Sequence, residues 1–388
     1  MKVLYCNPVF FEYRLPFYKE LVRLFNGNFY VMFSPVRYKM CKKENFALKI
    51  KEELEGNAIP LNTDHLFDTN SMKWDVMPDI EKGKRIPFTY GLMRKIKEIH
   101  PDVLVTEGYF QWSPLVLLYG IIHKIPVFMY YERTCWTERN ANKLKVFQRK
   151  LFNKFFAGFI VNGEETTKYL LSLGVSRDKI HLGGMSADAD LLKSQVEKYK
   201  QTDVFSIKRK ESDGLNFLFT GVVAERKGIV YLLSAWKKHI EKYPQDKLTV
   251  VGDGNQMGEC CRLCEGVNSV LFAGRVPYDE IYKYYACADI YILPTIEDNW
   301  SLVIPEAMAC GLPVTTSIYN GCHKELVHEG INGYVFDTFK QDTIVEVLEK
   351  FHSADLQSMG ANSIKLEEPF NTHNCAKRVY ETLKKIGI

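Results

Sequence analysis

Two carboxylates separated by seven residues, Asp298 and Glu306, lie in the stretch ILPTIEDNWSLVIPEAMACGLPV at 292–314. The first falls in a polar loop after a β-favouring apolar run that Pro294 ends, and the second falls in the opening turn of an apolar helix. Ser301 offers a helix-capping hydroxyl. Pro305 fits a first turn, where a missing N–H is harmless, and Gly311 with Pro313 marks the helix end. Backbone N–H groups near Ser301 and Leu302 would then point past the strand's carboxyl end, with the positive end of a helix dipole behind them. That is a seat for a phosphate or another anion. A glycosidase pair is a poor fit, because its carboxylates stand roughly 5 to 9.5 Å apart while eight residues of helix span about 12 Å. Two separate contacts on one elongated ligand suit the spacing better; the plain alternative is that Glu306 merely complements the dipole.

A second chemical segment is FLFTGVVAERKGIVYLLSAW, where Gly221 makes a tight exit from a strand and Arg226 and Lys227 precede a helix. Cations there can clamp a diphosphate whose charge develops as it leaves; otherwise they form a solvated basic turn. VVGDGNQMG (Gly252, Gly254, Gly258) invites a dinucleotide-binding reading, but the next strand ends in Gly274 and Arg275 without an acid for a ribose, which argues against hydride chemistry. Asp188-Ala189-Asp190 has the form of a metal-binding DXD, and Cys260, Cys261 and Cys264 form half a zinc site. The acids equally suit a helix start, and the cysteines lack a second ligand pair.

These groups need elements to position them. Strands at 3–5, 29–33, 103–106, 127–130, 158–161 and 180–182 alternate with helices at 16–25, 92–99, 114–123, 143–156 and 164–173. A second alternating run has strands at 217–220, 248–251, 270–272, 290–293 and 314–316, and an amphipathic helix at 372–386 closes the chain. Residues 37–84 read as an irregular insertion. Such alternation means parallel sheets covered on both faces, so the expected fold class is α/β, with two Rossmann-like domains whose sheets face a cleft. The expected division is 1–195, a linker at 196–213, a second domain at 214–370, and a helix at 371–388 crossing back to the first domain.

Composition narrows the classes. With 388 residues, 46% hydrophobic and 13% aromatic, the chain can bury full cores. A net charge of +4 over 51 bases and 47 acids is too balanced for a nucleic-acid binder. Ten scattered cysteines suggest a reducing compartment. The apolar start is broken by Asn7, Pro8 and Glu12 and reads as a strand and loop, giving an expectation of a cytoplasmic protein. Residues 139–156 carry six bases and no acid among Leu144, Val146, Phe147, Leu151, Phe152, Phe155 and Phe156. That helix could lie on an anionic inner membrane face, or pack its apolar side on the sheet.

Taken together, these motifs resemble a retaining nucleotide-sugar glycosyltransferase of the GT-B fold, glycosyltransferase family 4, most strongly over 217–336. The family signature of an acid, seven residues and Glu, followed by a small-residue helix and Gly-x-Pro-Val, reads here DNWSLVIPE and AMACGLPV, with Asp298 where Glu is usual. The resemblance implies that Glu306 holds the ribose hydroxyls, Asp298 a hydroxyl of the donor sugar, and the backbone of Trp300, Ser301 and Leu302 the sugar and distal phosphate. GVVAERKG supplies Lys227 for the diphosphate, has Val222 at the family's Arg position, and offers Arg226 as a substitute. FAGRVPYDEI places Arg275 and Val276 beside the base. In the first half PVFFEYRLPFYKEL, with Tyr13 and Arg14, stands where a glycine-rich loop is common. YYERT puts Glu132 and Arg133 where many members have a His, and Tyr13, Arg14, Glu132 and Arg133 are the candidates for acceptor or sugar contacts.

The expected activity is transfer of a sugar, with retention, from a nucleotide diphosphate to a hydroxyl of a glycan or lipid-linked oligosaccharide in cell-surface polysaccharide synthesis. Asp298, Lys227 and Glu306 are its central residues, with no obligatory metal and no cofactor beyond the donor. Alternatives are a relative acting on a nucleotide sugar without transfer, as an epimerase or phosphorylase, and a silent scaffold.

Overall fold

The computed structural model describes residues 1–34, 44–61, 91–186, 189–210 and 213–386. The chain divides into two compact units, Met1–Ser186 with Thr372–Ile388, and Ala187–Asn371.

In the first unit seven parallel strands are β1 (Val3–Cys6), β2 (Phe29–Phe33), β3 (Ala58–Pro60), β4 (Val103–Glu107), β5 (Val127–Tyr131), β6 (Gly158–Val161) and β7 (Ile180–Leu182). They lie in the order β3, β2, β1, β4, β5, β6, β7. Val3 stands opposite both Phe29 and Val103, so β1 is central. Alternate residues serve opposite faces: Val3, Tyr5 and Val105 enter one core with Phe17 and Phe29, while Leu4, Cys6 and Leu104 enter another with Trp112 and Phe159. Burial on both faces explains why the strands read as unbroken apolar runs. The last helix, Thr372–Ile386, adds Cys375, Ala376, Val379 and Leu383 to the first of these cores.

The second unit has β8 (Asn216–Thr220), β9 (Lys247–Val251), β10 (Val270–Gly274), β11 (Ile290–Leu293), β12 (Val314–Ser317) and β13 (Gly333–Phe336), in the order β10, β9, β8, β11, β12, β13. The two orders share one pattern, so each unit is a Rossmann-like sheet with a switch point, between β1 and β4 and between β8 and β11. The fold class is α/β as expected.

Several boundaries differ from the sequence reading. The expected linker at 196–213 carries two helices, Ala189–Lys200 and Asp203–Lys210. Their charge density hid a buried pair, Leu192 and Val196, one helical turn apart. The units part at 186/187, not at 195/196. Within the expected insertion, the described residues 44–61 form a helix, Glu44–Leu54, and β3; the rest of 37–84 lies outside the described residues. The basic helix stops at Asn153. Among the described residues, no helix is long and apolar enough to cross a membrane.

Candidate functional site

In the second unit, the loops leaving β8 and β11 are tied together by one carbonyl. Arg226 C=O accepts from Thr295 Oγ1 (2.7 Å) and from the N–H groups of Ile296 (2.9 Å) and Glu297 (3.3 Å). Close approach depends on Gly228, whose φ is +67° and whose missing Cβ would run into the Pro294 carbonyl. The result places Lys227 Nζ 2.6 Å from Asp298 Oδ2, with the two side chains 11% and 13% exposed. Arg226 Nη1 stands 3.9 Å from the same oxygen and is more exposed. Burial tends to raise the Asp298 carboxyl, but the Lys227 ammonium and its hydrogen bond, helped by Arg226, hold it below the usual carboxylate range. Lys227 and Asp298, 71 residues apart, therefore form one charged unit beyond the strand ends.

Glu306 is held separately. It lies in the seven-residue helix Val303–Ala309, is buried, and accepts from Tyr278 Oη (3.1 Å) and Tyr285 Oη (3.3 Å). Tyr285 Oη shares Thr220 Oγ1 (3.0 Å) with Tyr291 Oη (2.9 Å). Burial pushes the Tyr285 hydroxyl well up, and the Glu306 charge adds to this, so the phenol stays protonated as a donor. This chain of hydroxyls runs from the end of β8 to the carboxylate. The sequence reading missed Tyr278, Tyr285 and Thr220; the signal available was a cluster of tyrosines (YDEIYKYY) ahead of β11.

The remaining expected positions fall around these two acids. Gly221 and Val222 follow β8, Arg275 follows β10 and is exposed, and Val276 is half-buried. The Trp300 N–H donates to Asp298 Oδ1 (3.2 Å), and its ring packs 5.6 Å from Phe370. Leu302, not Ser301, occupies the helix cap position and no side-chain capping bond is made there; the Ser301 hydroxyl instead faces Asp298 and helps hold that carboxyl down. The physical reason is that the helix begins at Val303, too late for Ser301 to reach its first N–H groups. Gly252 and Gly254 are explained by packing, since a Cβ at either would strike the carbonyl of Gly221 or Val223.

In the first unit a second buried charge cluster occupies the switch point. Glu107, the last residue of β4, accepts from Arg14 Nη2 (2.6 Å) and Nη1 (3.0 Å), Tyr5 Oη (2.9 Å) and Asn7 Nδ2. Arg14, expected to be an acceptor contact, is thus buried and bonded within the unit. Tyr13 stacks on Phe11 with ring centroids 5.4 Å apart. Glu132 and Arg133 instead line a cavity of about 400 Å³ at the ends of β4 and β5, together with Tyr109, Tyr131, Lys145 and Arg149. Arg149, read from sequence as one of six surface bases, turns inward to Glu138 (2.5 Å) and the Tyr169 hydroxyl (2.7 Å).

For metals, Asp188 lies outside the described residues. Among the described residues, the group whose ligand atoms converge is His239, Asp246 and His352. Both imidazole Nε2 atoms meet Asp246 Oδ2, at 2.7 and 2.8 Å, and its other oxygen accepts from the Leu215 N–H (2.9 Å). All the described cysteines are free thiols.

Comparison with known proteins gives these arrangements a family context. Residues 214–353 match the family model described as Glycosyl transferases group 1. An uncharacterized glycosyltransferase of Methanocaldococcus jannaschii is 35% identical over 126 residues, 32% of each chain. The lipopolysaccharide 1,2-N-acetylglucosaminetransferase of Salmonella typhimurium is 27% identical over 207 residues, 49% of this chain and 54% of that one. The chain thus spans between a third and about half of the length of these relatives. Among solved structures, Anabaena HepE in complex with UDP superposes with a TM-score of 0.74 at 15% identity, covering 99% of this chain and 100% of that one. The lipopolysaccharide outer core galactosyltransferase WaaB gives 0.69 at 12% identity, covering 99% of each. At such identities the likeness is one of fold, and the fold is GT-B.

Proposed function

We propose that the protein is a retaining glycosyltransferase that moves a sugar from a nucleotide diphosphate to a hydroxyl of a glycan or lipid-linked acceptor in cell-surface polysaccharide synthesis. The observation that carries this reading is that the Lys227–Asp298 pair and the tyrosine-held Glu306 both stand beyond the carboxyl ends of β8 and β11, inside the segment that matches the glycosyltransferase family. A switch point of this kind is where open parallel sheets bind nucleotides. Glu306, kept as an acceptor by two phenol donors, suits ribose hydroxyls; Asp298 suits a sugar hydroxyl; Lys227 and Arg226 suit the diphosphate. HepE, of the same fold, was solved with UDP, which supports a nucleotide donor.

In this reading the bond between the sugar's anomeric carbon and the phosphate oxygen breaks while Lys227 and Arg226 offset the growing phosphate charge. The acceptor oxygen joins the anomeric carbon on the same face, and its proton passes to the departing phosphate. Asp298 holds Lys227 in place by the 2.6 Å contact. Glu132 and Arg133, on the first unit's cavity, would serve the acceptor. A membrane-borne acceptor is supported by the helix Lys143–Asn153, which exposes Leu144 (74%) and Phe147 (67%). Lys143, Lys145 and Lys150 lie on the same helix.

The test is transfer followed by proton NMR of the product anomer. Retention is expected, with Glu306→Ala lowering turnover at least about 100-fold; an inverted product or an unchanged rate in the variant refutes the assignment. Flotation with anionic liposomes tests the membrane contact, which fails if neutralising Lys143, Lys145 and Lys150 leaves flotation unchanged.

A further inference from the structure

The first unit's cavity holds charge that the unit does not neutralise. Among the groups at its wall, Glu107 is matched by Arg14 and Glu138 by Arg149. Arg149 is fixed further by the Tyr169 hydroxyl and lies over the Tyr109 ring at 5.2 Å. Arg133 reaches only the far oxygen of Glu138, at 3.8 Å, with 39% of its side chain exposed. Lys145, also on the wall, has no ion pair among the described residues. Because Glu107 is neutralised from behind the wall by Arg14, the lining is left with Glu132 against Arg133 and Lys145, one positive charge in excess.

The same wall is aromatic. Tyr109 and Tyr131 meet edge to face at 5.5 Å, and the Tyr109 hydroxyl is drawn away to Asn153. Tyr131 is 1% exposed and its hydroxyl has no hydrogen-bond partner among the described residues, a buried donor awaiting an acceptor. Aromatic faces suit the apolar faces of sugar rings, and a stray phenol suits a sugar or phosphate oxygen.

We infer that the acceptor of the proposed transfer is an anionic glycan, bearing a phosphate or carboxylate that Arg133 and Lys145 grip beside the tyrosine wall. This rests on the transferase reading for the word acceptor, but the pocket chemistry stands on its own residues. The anion could be the phosphate of a lipid carrier or the carboxylate of an acidic sugar, and both offer oxygens to a guanidinium and an ammonium.

The experiment is calorimetric titration of the full chain with octyl diphosphate, octyl glucuronide and octyl glucoside, repeated on Arg133→Gln and Lys145→Gln. Both positions are partly or fully exposed, so circular dichroism and melting should match the wild type. Expected is binding of octyl diphosphate or octyl glucuronide at least about tenfold tighter than octyl glucoside, with about tenfold lost in each variant; the tighter of the two names the source. Equal binding of octyl glucoside, no binding of either anionic probe, or an anion preference untouched by both substitutions overturns the inference. If no acceptor supports nucleotide-sugar turnover while anionic probes still bind through Arg133 and Lys145, the transfer reading falls and the anion site stands.

Discussion

Replacing Lys227 by Met removes a cation that faces a buried carboxylate at 2.6 Å. Breaking one side of a buried ion pair costs about 3–5 kcal/mol. Here the side chains keep 11% and 13% exposure and Arg226 remains at 3.9 Å, which lowers the expected loss to about 2–3 kcal/mol. In wild type the Asp298 carboxyl lies below its ordinary range, so its contribution is present above the unfolded value and lost as pH falls through the depressed folded one. In Lys227→Met, burial is opposed only by the Ser301 and Trp300 hydrogen bonds and the more distant Arg226, and the carboxyl rises. The charged carboxylate then destabilises the fold near neutrality, and protonating it in mild acid removes the penalty. Denaturant unfolding of both proteins should therefore show the largest gap near pH 7 to 8 and a narrowing gap toward pH 4. Asp298→Asn in the Lys227→Met background should recover at least half of the loss. A gap below about 0.5 kcal/mol, or one that neither narrows in acid nor shrinks on adding Asp298→Asn, would refute the reasoning.

Other substitutions probe the same physics. Gly228→Ala forces a side chain into φ +67° and against the Pro294 carbonyl, and should cost about 2–4 kcal/mol while detaching the Lys227 loop; a melting temperature within one or two degrees of wild type would contradict this. Glu107→Gln strands the buried Arg14 guanidinium and should cost about 3–5 kcal/mol, read by denaturant unfolding. The Glu367 carboxyl is pushed up to about 7 by burial and by Asp190, against Lys193. Its raised value makes stability fully present below the unfolded pKa and lost as pH rises through 7, so Glu367→Gln should stabilise by about 1–3 kcal/mol at pH 8.5 and by almost nothing at pH 5. Melting scans at the two pH values check the sign.

The parallel sheets were legible because strands such as Val103–Glu107 and Ile290–Leu293 are apolar on both faces and separated by helical periodicities. The strands β3 and β13 were not, since β3 ends in Pro60 within a polar stretch and β13 opens on Gly333, so neither reads as an unbroken apolar run. The helices Ala189–Lys200 and Asp203–Lys210 were missed because, on the first, small Ala189 and two larger residues, Leu192 and Val196, are all that mark a buried side among many charges. At the site, Asp298, Glu306 and Lys227 stood out from residue type and punctuation. The partners that orient them did not, because Tyr285 and Thr220 are 65 residues apart and meet only through the sheet order. Arg14 shows the converse: a cation in a suggestive loop reads as a ligand contact until its carboxylate, 93 residues away, is found beside it.

The central claim is that the second unit binds a nucleoside diphosphate through Glu306 and Lys227. Calorimetric titration of uridine, guanosine and adenosine diphosphates into wild type and Glu306→Gln tests it most directly. The account predicts that one of the three binds in about the micromolar range and weakens at least about tenfold in the variant. Absence of binding by all three, or equal affinity in the variant, would contradict it.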